Sequence, residues 1–403
     1  MIDSSFFVAN RQKLSEMLAG MPLIMTAYTQ IQRRADMSWQ FEQESNFWWL
    51  TGIEAPDWQL IVDPIRHKSW LVAPEIDEVH QVFDGSLSFE GALGISGVDS
   101  VLTRAQGDEK IAELAKRHTV VQTLGDDPQA AHYNFALNPA PADLKRQLGR
   151  LFKEVHSVRA DISKLRAIKQ PAELAVMQHV IDLTIDGFAE IHSKLQDFKH
   201  EYEIDAEFSY LFRKKGARGH AYDPIVAAGA NACTLHYVAN SERLKKRQLL
   251  LLDIGASAGG YAADITRTYA YGEPTRRQIE IHAAVQSAQQ QIISSIEPNI
   301  SVEEYQRTVD SIMAEALISV GLMKGRDDEE SYRRYFPHAI SHGLGVDVHD
   351  SLGAPEVFMP GMVLTVEPGI YIPEEGIGVR IEDDILVTDN GRKNLSQRLS
   401  TDL

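Results

Sequence analysis

Two pairs of carboxylates, each placed symmetrically about a turn, constrain this 403-residue chain more than any other feature. In LLLDIGASAGGYAADITRTY, Asp253 and Asp264 are equidistant from Ala258-Gly259, and in TVEPGIYIPEEGIGVRIEDD, Glu367 and Glu382 are equidistant from Glu374-Glu375. The β-branched and apolar runs flanking each glycine-containing turn read as β-hairpins. Residues symmetric about a hairpin turn face each other with Cβ atoms roughly 4.5–5.5 Å apart. Like charges held there repel, so such pairs on an apolar sheet call for a cation between their members. A third block, HAISHGLGVDVHD, sets His338, His342 and His349 between the two hairpins. Two carboxylate pairs and an imidazole make a ligand set for two divalent metals.

Composition narrows the setting. The length allows two domains with separate cores. A hydrophobic content of 44% and a charged content of 24% exclude disordered and fibrous classes. The net charge of −17 argues against nucleic acid or an anionic membrane as the main partner, because both require a basic footprint. A single cysteine, Cys233, excludes an internal disulfide framework and reads as a small buried filler rather than a nucleophile. The opening MIDSSFFVANRQKLSEML lacks the pattern of a secretory signal, and no run approaches the ~20 apolar residues of a membrane span. The expected location is the cytoplasm.

All five tryptophans lie in the first 70 residues, most of them expected in a core. Periodicity there predicts a helix at 6–19, a strand at 23–28 and a hairpin of WQLIVD and SWLVAP about 66–68. Helices at 108–117 and 141–153 and a strand at 119–123 complete an α/β module over 1–158 with no metal-like constellation. A basic joint follows, VRADISKLRAIKQ, and then Pro171 opens an amphipathic helix with Leu174, Met177, Ile181, Ile185 and Phe188 on its core face. Further helices are predicted at 203–215, 275–296 and 301–320, the last with Ser301 and Glu304 as a capping box. With hairpins between these helices, residues 159–403 read as an α+β domain with curved antiparallel sheet.

Oxygen donors joined by an imidazole favour Mn²⁺, Co²⁺, Fe²⁺ or Zn²⁺, and the lack of thiolates excludes a structural zinc site. Two such ions ~3.5–4 Å apart acidify water and polarise a carbonyl, which points to hydrolysis. Any one of these carboxylates alone reads as a solvated or salt-bridged strand residue; two symmetric pairs do not. Gly343 and Gly345 break a helix in the histidine block, so residue chemistry leaves the ligand open among His338, His342 and His349. His236, in TLHYVAN, is notable only for its company. Arg380, two residues before Glu382 on one strand face, is expected to orient that carboxylate.

Over roughly residues 165–390 these blocks resemble the pita-bread-fold metallopeptidases, the family of methionine aminopeptidase, aminopeptidase P and prolidase. The resemblance implies five metal ligands, Asp253, Asp264, His342, Glu367 and Glu382, holding two divalent ions, with Mn²⁺ first and Co²⁺, Zn²⁺ or Fe²⁺ as alternatives. It further implies His236 and His349 as active-site histidines, His338 as a pocket wall, Tyr371 as an aid to proton transfer and Arg380 as support for the ligands. The segment FEQESNFWWLTGIEAPD is similar to the creatinase-type N-terminal domain, which methionine aminopeptidases lack. Creatinase itself lacks the complete ligand set. The implied fold is α+β, a C-terminal pita-bread domain preceded by a smaller α/β creatinase-type domain.

The implied activity is hydrolysis of the Xaa-Pro bond at peptide N-termini by a metal-bridging hydroxide, with Glu367 as general base and His349 and His236 bonding the substrate. A bond to proline is a tertiary amide without an N–H, so a dedicated site is needed. The implied partners are peptides with proline at the second position and further copies of the chain, as a dimer or tetramer. The alternative is an Xaa-Pro dipeptidase, which must clamp a free carboxylate next to proline. Prolidases carry an arginine for this between the VHD and PGMVLTVEP blocks, yet SLGAPEVFM here has none. Many aminopeptidases P carry that arginine too. A family Trp-x-Gly-x-Arg-like segment likewise appears as VFDGSLS, with Phe83 and no arginine. The missing clamp favours longer peptides. A non-catalytic peptide-binding scaffold of the same fold is the remote alternative, and the complete ligand set speaks against it.

Overall fold

Residues 2–125 and 133–403 are described in the computed structural model. They divide into two units, Ile2–Leu165 and Arg166–Leu403. The first unit is built on a six-stranded mixed sheet in the order Ser100–Leu102, Lys68–Val72, Gln59–Asp63, Leu23–Thr26, Val120–Thr123 and Glu154–Ser157. The predicted hairpin supplies its second and third strands, with Asp63 opposite Lys68 across the polar turn. Ile24, Ile61, Val72 and Val121 meet Ile111, Leu114, Leu144 and Leu148 from the helices Arg104–Arg117 and Ala140–Leu151. Trp48, Trp49 and Trp58 are buried, but Trp39 is 56% exposed, where the Arg33 guanidinium covers its ring at 4.8 Å.

In the second unit Pro171 starts the helix Pro171–Ser193, and Gln170 and Glu173 form its capping box. The helices Glu201–Lys214, Arg276–Ser295 and Val302–Ser319 follow, and the Ser301 hydroxyl caps the last by accepting from the Glu304 N–H at 3.1 Å. All the strand pairs described in this unit are antiparallel. Its core packs Ile281, Val285 and Ile292 of one helix on Leu364, Val366, Ile370, Val379 and Ile385 of the sheets.

The two carboxylate hairpins differ in how they keep their predicted register. Around Glu374-Glu375 the prediction is met: Ile372 faces Ile377, Gly369 faces Arg380, and past a break Val366 faces Asp383. Glu367 and Glu382 sit opposite each other at that break, between two ladders. The other hairpin is shifted. Its two-residue turn is Gly259-Gly260, both at positive φ, so Ala258 faces Tyr261 and Asp253 faces Thr266 rather than Asp264. Left-handed conformations at two successive positions favour the glycine pair over Ala258, which moves the turn by one residue and the pairing by two. The strands stay in register past Ile254, with the Ala263 N–H bonding the Ala256 carbonyl. Asp253 and Asp264 are therefore diagonal neighbours on one face.

Between them the chain bends at Gly255, where a Cβ would lie 1.8 Å from the Ala263 carbonyl oxygen. Gly255→Ala is expected to lower stability by about 3 kcal/mol, as overpacking against rigid backbone does. Gly94→Ala, whose Cβ meets nothing in the helix Phe89–Ser96, is expected to be neutral or stabilising. Urea denaturation midpoints of the two variants check the contrast.

Candidate metal centre

The strands Gln248–Ile254 and Ile265–Tyr271 deliver Asp253 and Asp264, and the break between Arg380 and Asp383 delivers Glu382. Thr266 joins the two hairpins, because the Glu382 N–H bonds the Thr266 carbonyl at 3.0 Å and the Thr266 hydroxyl donates to Glu382 Oε2 at 2.7 Å. His342 is held by two backbone contacts with Thr365: its N–H donates to the Thr365 hydroxyl and its carbonyl accepts from the Thr365 N–H. Its Nδ1 meets the Gly343 carbonyl at 3.0 Å, which leaves Nε2 3.4 Å from Asp264 Oδ2 and 3.6 Å from Glu367 Oε1. Asp264, His342 and Glu382 offer ligand atoms all within 4.8 Å of one another, a spacing that one divalent cation can bridge.

Asp253 and Glu367 flank this trio. The Tyr222 hydroxyl lies 2.5 Å from Asp253 Oδ1 and 2.6 Å from Asp264 Oδ1, tying the diagonal pair together. Arg380 corrects an expectation: it bonds Asp253, the Tyr371 hydroxyl at 2.8 Å and the Thr266 hydroxyl at 3.2 Å, and reaches Glu382 only through Thr266. The chain leaves one ladder and joins another between residues 380 and 383, so Arg380 and Glu382 do not share a strand face. His338 Nε2 meets the Tyr371 hydroxyl at 2.8 Å, and its Nδ1 lies 3.6 Å from Glu367 Oε2. The His342 and His349 ring centroids lie 4.2 Å apart with their planes tilted by 56°, and His349 is exposed. His236 is exposed and electrostatically coupled to both His338 and His349. Asp253, Asp264, His338, His342, His349, Glu367, Tyr371, Arg380 and, through Thr266, Glu382 are thus linked by direct contacts, while His236 is linked to them only by its charge.

A family model for metallopeptidase family M24 matches residues 175–389, and one for the aminopeptidase P N-terminal domain matches residues 7–122. The chain belongs to metallopeptidase family M24. It is 32% identical to an Xaa-Pro aminopeptidase of Escherichia coli K12, over 97% of this chain and 94% of that protein. It is 35% identical to an Xaa-Pro dipeptidase of Pyrococcus horikoshii, over 72% of this chain and 77% of that protein. Among solved structures, aminopeptidase P from E. coli in its low-pH form superposes with a TM-score of 0.87 at 30% identity, covering 100% of this chain and 97% of the other. The fold is the α+β arrangement of aminopeptidase P, an N-terminal domain followed by the M24 domain.

The electrostatics fit divalent cations. Four carboxylates share one guanidinium, Arg380, in a buried space. Burial pushes Glu382 well above the usual carboxylate range, and Asp264, Glu367 and Asp253 push it further. Burial also raises Glu367, to about 7, with Asp264 and Asp253 adding and His342 and Arg380 opposing. His342 rises to about 9, since its bond to Asp264 and the charges of Asp264 and Glu367 outweigh the effect of burial. His338 falls to about 4 through burial and the charge of Arg380. Divalent metal held by these carboxylates would relieve the repulsion that raises them.

Tyr222 and Thr266 escaped the reading of the sequence. Each lies near a motif, but a hydroxyl linking two carboxylates leaves no mark in spacing or polarity.

Linkage gives the sign of a pH effect. Glu367 has a native pKa above its usual 4.5, so its burial costs stability as pH rises past 4.5, and in full above about 7. The raised native pKa of His342 contributes stability below 6.5 that is lost as pH rises through about 9. Below 6.5 the lowered pKa of His338 opposes this loss, because its contribution to stability rises as pH climbs from about 4. Chelator-stripped protein is therefore expected to lose thermal stability between about pH 7 and pH 9, and excess Mn²⁺ is expected to flatten that slope. Calorimetry across pH measures it, and a flat profile for the stripped protein contradicts the charge-crowding account.

Proposed function

We propose that this M24 enzyme is an Xaa-Pro aminopeptidase, with Asp253, Asp264, His342, Glu367 and Glu382 holding two divalent ions, Mn²⁺ first among them. The observation that carries the reading is the trio Asp264, His342 and Glu382, with Glu367 3.6 Å from His342 and Asp253 sharing the Tyr222 hydroxyl with Asp264, in a chain similar over 97% of its length to an Xaa-Pro aminopeptidase. Bound there, the ions supply Lewis acidity toward the scissile carbonyl and acidify water. The chain supplies the rest. Glu367, beside His342 and His338, takes the proton of the attacking water and returns it to the proline nitrogen as the bond breaks. An amide anion is a poor leaving group, so that proton delivery is required for departure of the amine.

His349 and His236, on the exposed side of the cluster, donate to the scissile carbonyl oxygen and the residue beyond it. Burial and the adjacent His342 lower the pKa of His349 and keep it neutral, suited to donating without repelling the metals. The hydroxyl of Tyr371, bonded by Arg380 and His338, holds a proton beside Glu367 and assists the transfer. His338 forms the wall behind Glu367. The domain limits 1–158 and 159–403, a cytoplasmic location and a homo-oligomeric state, dimer or tetramer, belong to the same reading.

Turnover of Xaa-Pro-Yaa tripeptides is expected to exceed that of Xaa-Pro dipeptides for the Mn²⁺-loaded enzyme, and liquid chromatography of the products checks it. Cleavage confined to dipeptides favours the dipeptidase relative instead. Glu367→Ala is expected to reduce kcat by about 10³-fold without unfolding the protein. Retention of activity in that variant removes the general-base role.

A further inference from the structure

The loop that carries both His342 and His349 folds back on itself. The Asp350 N–H bonds the Gly343 carbonyl at 2.9 Å, the Gly345 N–H bonds the Asp347 carbonyl at 3.0 Å, and Gly343 bridges Leu364 on its other side. This closure puts His349 beside His342 although seven positions separate them. The Asp350 carboxylate lies beneath the loop, so close that a Cβ on Gly345 would stand 2.1 Å from Asp350 Oδ2. Its Oδ1 accepts from the Ser351 N–H at 2.8 Å.

Two cations of the basic joint hold that carboxylate. The Arg166 guanidinium lies 2.9 Å from Asp350 Oδ1 and 2.7 Å from Asp347 Oδ2, and the Lys169 ammonium lies 3.3 Å from Asp350 Oδ2. Arg166, Lys169 and Asp350 are each 6% exposed or less. The joint is itself pinned, since the Lys169 N–H bonds the Gly361 carbonyl at 2.9 Å, two residues before the strand Val363–Val366 that bonds His342 through Thr365. Lys169 and Arg166 thus act on the His349 end of the loop, while Thr365 holds the His342 end. Buried charges of this kind are poor general stabilisers but specify geometry well when every partner is present.

We infer that Arg166, Lys169 and Asp350 are positioning residues that set the pose of His349 toward the substrate, separately from the metal ligands. Asp350 adjoins His349 in the chain, so its clamp fixes the backbone from which that imidazole projects. The Nη2 group of Arg166 meets both Asp347 and Asp350, which couples the two carboxylates and closes the turn. The inference rests on the Xaa-Pro aminopeptidase reading, and within that reading it adds a control on substrate geometry supplied by the joint.

The test is a double-mutant cycle on Mn²⁺-loaded full-length enzyme with an Xaa-Pro-Yaa tripeptide. Asp350→Asn is expected to lower kcat/KM about tenfold or more, as loss of a supporting contact does. Metal content by elemental analysis after dialysis is expected to be unchanged, since His342 keeps its own anchor. In a His349→Ala background the same substitution is expected to change kcat/KM by less than about twofold, because the group it positions is gone. Arg166→Met removes the cation and carries the same cycle should Asp350→Asn fail to fold, with calorimetry reporting folding. Equal losses in both backgrounds, or loss of metal with activity, overturn the inference. Wild-type enzyme that leaves tripeptides intact overturns the Xaa-Pro reading itself, so the two failures are distinguishable.

Discussion

Repulsion among buried carboxylates is the constraint on which the second unit is built. Asp253, Asp264, Glu367 and Glu382 occupy one small volume with a single guanidinium, and the carboxyl of Asp384 adds to the crowd from behind Asp264. In water these charges would separate. In the fold they cannot, because each lies within a buried strand or beside the end of one. Two kinds of partner make the arrangement tenable: divalent cations, as the M24 family requires, and a lattice of neutral or positive donors around the rim. Tyr222, Thr266 and Arg380 form that rim and bond oxygens of Asp253, Asp264 and Glu382.

Holding like charges together needs stiff supports, and these lie at the ends of the elements that carry the site. The tip of the Glu367/Glu382 hairpin is clamped from outside: Arg277 meets both oxygens of Glu375 at 2.9 Å, and the Tyr335 hydroxyl meets Glu374 at 2.6 Å. Below the site, Arg267 bonds Asp383 and the Leu399 carbonyl, which fastens the strand after Glu382 to the end of the chain. Glu201, fully buried, accepts from the N–H groups of Ala228 and Glu242 and from Tyr237, next to His236. Such fully satisfied polar hubs cost little and fix geometry, which catalysis by positioned groups demands.

Much of this was legible in the chain. The symmetric placement of Glu367 and Glu382 predicted a facing pair, and the ladders on both sides of them keep that register. The same arithmetic misplaced Asp253 opposite Asp264 by two residues, because counting from a turn presumes which two residues make it. Backbone preference for positive φ at Gly259 and Gly260 chose the turn instead. The carboxylates nonetheless converged, since diagonal neighbours on one face stay within reach. The expectation for Arg380 failed for a related reason: strand periodicity holds only within one ladder, and the chain changes ladders between Arg380 and Asp383.

By itself the sequence determined the chemical character of this protein. Donor types and their spacing on hairpins depend on local backbone rules, so an oxygen-rich metal site with an imidazole could be read directly, and motif resemblance supplied the family. Tertiary structure decided which atoms meet. Only there does Thr365 turn His342 toward Asp264, does the hydroxyl of Tyr222 link two aspartates, and does the joint holding Arg166 and Lys169 come to lie under Asp350, 181 residues on from Lys169. Such contacts between remote segments are set by how helices and sheets pack, and no local pattern in the chain encodes them.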